Sequence, residues 1–186
     1  GKQRYVFTWN HDKFPQPREL IGAFAAAGVR TVANLKPCLL DDHPAYAALA
    51  ADGAFVRDQD PTKGPCLEQF WDGWGAHLDF TRDGDRAWWQ RGLQQQILDV
   101  GIDVGWNDNN EYEIWGERAS CHGFGQALPM ARAHALQPLL MTRATYDQQA
   151  RHQPKERVYT ITRGGPPGLQ RYAQTWSGDN STSWHT

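Results

Sequence analysis

The sequence predicts an α/β fold, a fragment of a (β/α)8 TIM barrel, and three observations lead there. Short β-branched segments alternate with helix-length amphipathic ones, the pattern of a parallel sheet with crossover helices. No G-x-G-x-x-G fingerprint follows the first strand candidate, which argues against a doubly wound dinucleotide fold. Polar clusters close three strand candidates in turn, "NLKP", "WNDNNE" and "TWSGDN", and barrels place their catalytic groups at the C-terminal ends of different strands. A complete barrel takes about 250 residues. With 186 residues and four or five strand candidates, residues 1–186 read as part of one barrel domain.

The elements follow in chain order. "FPQPRELIGAFAAAG" carries two prolines ahead of an apolar face of Leu20, Ile21, Phe24 and Ala27, with Gly28 as the stop, so it predicts a helix. "VRTVANL" is β-branched and has the length of a buried strand. Lys36 to Thr81, with Pro37, Pro44, Pro61 and Pro65 and several glycines, predicts a long irregular region interrupted by a short helix at "PAYAALAADG". The apolar spacing from Arg86 to Val100 predicts a helix, and "GIDVGWND" a short strand. "LPMARAHALQPLLMTRATYDQQA" predicts another helix, kinked at Pro138. "RVYTITRGG" predicts a strand running into a glycine-rich turn, and "YAQTWSGDN" another strand.

Composition narrows the function classes. Nineteen Lys and Arg against twenty-one Asp and Glu give a formal charge of −2 without a basic run. A nucleic-acid or anionic-membrane partner is therefore disfavoured. No apolar segment approaches the roughly 18 residues of a membrane span, and the N-terminus lacks the apolar core of a signal peptide. Cys38, Cys66 and Cys121 are odd in number and show no CxxC spacing. They indicate neither a disulfide framework nor a zinc site, which fits a cytoplasmic, reducing location, unless a leader preceded Gly1. The histidines, among them His77, His122 and His152, show no metal-ligand spacing and read as structural or surface residues.

Nine tryptophans are the unusual feature. Trp88 and Trp89 sit in a helical pattern, which buries at least one of them. Trp71, Trp74, Trp106 and Trp176 lie beside Gly, Asp and Asn at strand ends or in loops, where a flat apolar face next to hydrogen-bonding groups suits a sugar ring. The stretch "GWNDNNEYEIW" packs five carboxylate or carboxamide residues, Asn107 to Glu111, between Trp106 and Trp115. Each candidate also has a plain reading. Asp108 suits the N-cap of a following helix and Asp179 a turn. Glu111 and Glu113 suit supporting hydrogen-bonders or solvated charges, and Arg163 a carboxylate pair.

Four segments in one order resemble glycoside hydrolase family 31, the retaining α-glucosidase and α-xylosidase family. "FTWNHDKFPQPRELIGAFAAAGVRTVANLKP" resembles its helix and strand before an Asn-Pro or Asp-Pro turn. "FWDGWGAHLDFTRDGDRAWW" is similar to its W-P-G…D-F-T-N-P…W-W segment, with Trp71 and Asp79 at matching spacing. "GWNDNNE" is similar to its W-x-D-M-N-E nucleophile motif. "TRGGPPGLQRYAQTWSGDNSTSW" resembles its S-R-S-x-F-A-G-x-x-R-Y-A-x-x-W-x-G-D-x-x-S-x-W motif.

The resemblance implies Asp108 as nucleophile and Asp179 as general acid/base of a retaining α-glycosidase for terminal glucose-type residues. It implies a sugar pocket walled by Trp71, Trp106 and Trp176, with Arg163 holding the sugar and keeping Asp108 anionic. It implies an oligosaccharide or α-glycoside substrate and no metal or organic cofactor. Asn109 stands where the family usually has Met or Phe, Asn34 where an apolar residue is common, and Lys36 where Asn or Asp is usual. These polar changes keep galactose-type or N-acetylated hexosides open as substrates, and transglycosylation as a reaction. A non-catalytic carbohydrate-binding or self-associating fragment is the reading from another class. The family's first-strand aspartate and late-strand histidine would lie outside residues 1–186, so an incomplete pocket, an inactive isolated fragment and self-association through open sheet edges are expected.

Overall fold

The computed structural model describes residues 4–114 and 118–184. Trp115, expected to brace the polar run, lies outside them. Helix α1 (Pro17–Ala26) begins on a proline, whose missing N–H costs nothing in a first turn, and is followed by Gly28 in the left-handed region at φ +76°. Of its expected apolar face, Ile21 is buried whereas Leu20 and Phe24 are exposed, because no described element covers them. Strand β1 (Val32–Leu35) follows.

The next stretch departs from the expected irregular region. It contains β2 (Cys38–Leu40), α2 (Tyr46–Asp52), β3 (Arg57–Asp58), β4 (Glu68–Phe70) and β5 (Gly73–His77). β2, β5 and β4 form an antiparallel sheet, and β3 pairs with a strand far along the chain. The short helix forms as predicted and ends on Gly53 in the left-handed conformation. Proline and glycine mark the tight connections here rather than an absence of pairing.

Helix α3 (Asp83–Gln96) starts earlier than predicted, with Asp83 in its first turn, where negative charge meets the positive end of the helix dipole; burial pushes the carboxyl of its neighbour Asp85 up to about 8. It stops at Gln96, and a 3-10 turn covers Leu98–Val100. Strand β6 (Val104–Asn107) comes next, then β7 (Ala119–Cys121) and β8 (Leu128–Pro129), which join β3 in a second antiparallel sheet. The helix expected to kink at Pro138 is instead two helices, α4 (Met130–Ala133) and α5 (Leu136–His152). Pro138 sits in the first turn of α5, where the missing N–H is tolerated, so the break falls ahead of it. Strands β9 (Thr160–Thr162) and β10 (Gln174–Thr175) complete the chain.

β1, β6, β9 and β10 form one parallel sheet in that order, with Asn34 beside Trp106 and Trp106 beside Ile161. This is an arc of a (β/α)8 barrel. The period of two along each strand sorts its residues. Leu35, Asn107, Thr160 and Thr162 are buried and turned to the helix side, whereas Asn34, Trp106 and Ile161 are more exposed, on the face a barrel turns to its axis.

The helix side holds a hydrogen-bonded polar layer. Thr145 donates to Asn107, Asn110 donates to Thr162, and Thr160 donates to Gln149. Gly105 is required there, because a Cβ would lie 2.7 Å from the Thr145 methyl. Trp89 is fully buried, as expected for one of the Trp88–Trp89 pair. Its indole N–H donates to Thr145 at 2.9 Å and its ring meets those of Phe7 and Phe80. Asp79 is buried but satisfied: it accepts from the Thr81 N–H and hydroxyl, the Gln137 amide and the His122 N–H, tying the end of β5 to α5 and β7. Burial pushes the Cys38 thiol up to about 12 and the Cys66 thiol up to about 11, so both stay protonated at neutral pH.

Candidate active site

Parallel pairing places the C-terminal ends of β1, β6, β9 and β10 on one side of the sheet, and the polar residues beyond those ends converge. The Asp108 N–H donates to the Leu35 carbonyl at 2.8 Å, which sets the first residue after β6 beside the end of β1. The following residue, Asn109, has φ +49°, a left-handed conformation that asparagine tolerates better than most side chains. Residues 109–114 form no helix, so Asp108 caps none there. Asn110 is buried and joins this loop to β9: its amide N–H donates to Thr162 and its oxygen accepts from the Gly164 N–H.

The Asp108 carboxylate is the meeting point. Its Oδ2 accepts from the Asn34 amide at 3.0 Å and from Lys36 Nζ at 2.5 Å, and its Oδ1 accepts from the Asn109 N–H at 2.9 Å. Lys36 also donates to the Asn109 amide oxygen, and its ammonium lies 5.0 Å from the centre of the Trp71 ring. Burial alone would raise the Asp108 carboxyl. The hydrogen bonds from Lys36 and Asn34, the Lys36 charge and the Asn109 amide outweigh it and hold the carboxyl below its ordinary value.

Arg163, one residue past β9, makes a two-pronged pair with Glu111, Nε to Oε1 at 2.6 Å and Nη2 to Oε2 at 2.9 Å. Its Nη1 is 3.7 Å from Asp108 Oδ1. The expected part of Arg163 in keeping Asp108 anionic therefore falls mainly to Lys36; Arg163 is committed to Glu111, whose hydrogen bonds hold the guanidinium more firmly protonated than usual. Glu111 thus takes the supporting place expected for it.

The aromatic residues divide. Trp71 is 60% exposed and lines a cleft of about 490 Å3 with Phe70, His77, Asn109, Glu111 and Arg163. Trp106 and Trp176 do not line it; they meet edge to face at 5.4 Å, bridging the ends of β6 and β10. Asp179 lies beyond them, exposed, on a loop in which the Asn180 amide donates to the Ser177 carbonyl at 2.6 Å. Gly178, at φ +91°, approaches the Arg163 side chain, and a Cβ there would be 3.6 Å from Arg163 Cδ. Asp179 is close enough to add to the field on Arg163. Among the described residues no hydrogen bond or ion pair joins it to Asp108.

The whole sequence matches the description of the glycosyl hydrolases family 31 TIM-barrel domain, over residues 1–186. The chain belongs to glycosyl hydrolase family 31. Alpha-glucosidase 2 of Bacillus thermoamyloliquefaciens is 30% identical to it over 189 residues, 96% of this chain and 23% of that protein. A GH31 dextranase of Flavobacterium johnsoniae complexed with glucose has a TM-score of 0.85 at 21% identity, over 96% of this chain and 22% of its own. A GH31 sulfoquinovosidase from E. rectale in complex with an aza-sugar inhibitor has a TM-score of 0.82 at 21% identity, over 95% of this chain and 26% of its own. The chain thus spans between 22% and 26% of the length of these three relatives. The two solved structures establish a shared barrel architecture.

Within this family 31 segment, sequence reasoning marks Lys36 only as a departure and misses its contact with Asp108. The available signal is its spacing: Lys36 lies two residues past Asn34, on the same face of the strand line. His77 reads as structural in the sequence, and it is buried between Phe70 and Tyr112, with ring centres at 5.1 and 4.7 Å, in the cleft wall. Its Nδ1 has no partner among the described residues, and burial pushes the imidazole from 6.5 down to about 3. The unfolded chain therefore binds the proton first. The stability due to the neutral ring is whole above about pH 6.5 and is lost as pH falls toward 3. His77→Phe, which keeps the ring contacts, is expected to flatten that loss. Urea midpoints at about pH 7 and about pH 4 read it, and an unchanged difference between them would rule His77 out as its source.

Proposed function

We propose that this chain carries the two carboxylates of a retaining α-glycosidase that removes terminal α-linked glucose-type residues, with Asp108 as nucleophile and Asp179 as general acid/base. The observation that carries the reading is the state of Asp108: a strand-end carboxylate held ionised by Asn34, Lys36 and the Asn109 amide, beside an aromatic cleft. An ionised carboxylate is what attack on an anomeric carbon requires, and its partner must lie about 5–5.5 Å away in a retaining enzyme. Trp71 offers the sugar an apolar face; Arg163 and Asn109 offer hydrogen bonds within the same cleft. The alpha-glucosidase name of the 30%-identical relative supports a glucose-type substrate.

The second reading keeps the mechanism and changes the sugar. Asn34, Lys36 and Asn109 surround Asp108 with amide and ammonium groups. Such groups favour a sugar whose substituents pair with them, since a polar group left unpaired on binding costs about 1–3 kcal/mol. Galactose-type or N-acetylated α-hexosides fit that requirement. Transfer to a sugar hydroxyl instead of water uses the same two carboxylates.

Mass spectrometry of the intact protein after exposure to 5-fluoro-α-glycosyl fluorides tests the proposal. A glycosyl adduct on Asp108 is expected, and the reagent that labels fastest names the glycone. A folded protein that takes no label from gluco, galacto or N-acetyl reagents refutes the nucleophile assignment and leaves the non-catalytic carbohydrate-binding reading.

A further inference from the structure

We propose that Lys36 is the positioning residue of the Asp108 nucleophile, fixing the plane of its carboxylate and setting the acid limb of the pH–rate profile. The inference rests on the reading of Asp108 given above.

The backbone brings the two side chains together without freedom to drift. Leu35 pairs with Asn107, the Leu35 carbonyl accepts the Asp108 N–H, and the Pro37 carbonyl accepts the Leu78 N–H at 2.9 Å. Cys38 then pairs with His77. Lys36 is therefore held between two paired strands, a proline on one side and the end of β1 on the other. Its side chain leaves on the same face as Asn34 and reaches both Asp108 Oδ2 and Asn109 Oδ1. The Trp71 ring stands 5.0 Å from the ammonium.

An exposed ion pair would contribute little. Here the side chains are 20% and 11% exposed, so each depends on the other for what water no longer supplies. The groups facing Asp108 from each neighbouring element can be named. β1 and its end supply Asn34 and Lys36, and the loop after β6 supplies Asn109 and Glu111. The end of β9 supplies Arg163, and the loop after β10 brings Asp179 toward Arg163. Of the two cations, Arg163 is neutralised by Glu111 and stands at 3.7 Å; Lys36 stands at 2.5 Å and has no other carboxylate within ion-pairing distance among the described residues. Asn34 and Asn109 orient without charge. Removing Lys36 therefore removes the main charge holding the anion, while the protein keeps its backbone pairing.

The test compares Lys36→Met and Lys36→Arg with the wild-type protein, using an aryl α-glycoside across pH and the 5-fluoro label as a second readout. In Lys36→Met the acid limb of kcat/KM is expected to move up by about one pH unit or more, as for a carboxylate losing an adjacent cation. At a fixed pH on that limb, the rate drops about tenfold for every pH unit the limb moves. Loss of positioning lowers kcat more than it raises KM. Lys36→Arg is expected to restore the limb. A Lys36→Met protein with a native circular dichroism spectrum and an unmoved acid limb overturns the inference, whatever its overall rate. If the wild-type label maps to Asp108 and the limb is unmoved, this inference alone fails. If the label maps elsewhere, the nucleophile reading fails and takes this inference with it.

Discussion

Replacing Asp108 by alanine in the intact protein is expected to reduce turnover of an aryl α-glycoside by about 10⁴-fold or more, equivalent to roughly 5.5 kcal/mol of lost transition-state stabilisation. The substitution removes the group that would form the covalent bond, and among the described residues bonded to the Asp108 side chain none is a carboxylate. Glu111 is locked on Arg163, and Asn34 and Asn109 are neutral amides. The fold should survive, because Asp108 anchors to β1 through its backbone N–H rather than its carboxylate. The lost group leaves a space lined by Lys36 and Asn34, both donors, and that space suits a small anion. Added azide is therefore expected to restore part of the rate with an activated substrate. It attacks once from the vacated side, so the product is the β-glycosyl azide. An Asp108→Ala protein that keeps its activity, or an azide product of α configuration, would place the nucleophile elsewhere.

Much of this arrangement is legible in the sequence, for a physical reason. Helices α1, α3 and α5 and strand β6 announce themselves because hydrophobic period and length are local properties. The ends of β1, β6 and β10 carry polar clusters because side chains that meet at one mouth must be polar whichever strands are neighbours. The clusters are legible on that basis; the parts given to Asn34, Asp108 and Asn109 within them come from the resemblance to family 31. The region from Lys36 to Thr81 misleads because its strands are two to five residues long and pair across distance, Cys38 with His77 and Arg57 with Ser120. Nothing local specifies such partners. The same limit hides the relation of Lys36 to Asp108, which exists only because β1 and β6 are adjacent and in the register that sets Leu35 beside Asn107. It also hides the edge-to-face contact of Trp106 with Trp176, which spans β9 between β6 and β10 while Trp71 lines the cleft.

Asp179→Ala is expected to behave differently from Asp108→Ala, and the difference bears on the assignment of both. A general acid contributes typically 10²–10⁴-fold, and only when the leaving group needs a proton. In kcat/KM a natural α-glycoside should thus lose about that factor, whereas a glycosyl fluoride, whose leaving group departs unaided, should lose far less. Asp179 is exposed on its loop, and the preceding Gly178 approaches the Arg163 side chain. An acid must be protonated before it donates. In the proposed substrate complex a sugar between Asp108 and Asp179 displaces water and sets the two carboxyls to different tasks, one attacking and one donating. The basic limb of kcat, which reports the substrate complex, should accordingly be lost in Asp179→Ala with a glycosyl fluoride, while the acid limb set by Asp108 persists. Azide would now meet a glycosyl-enzyme already inverted once, and the product should be the α-glycosyl azide. Opposite anomers from the two variants would fix Asp108 and Asp179 on opposite faces of the sugar. The same anomer from both would break the pairing.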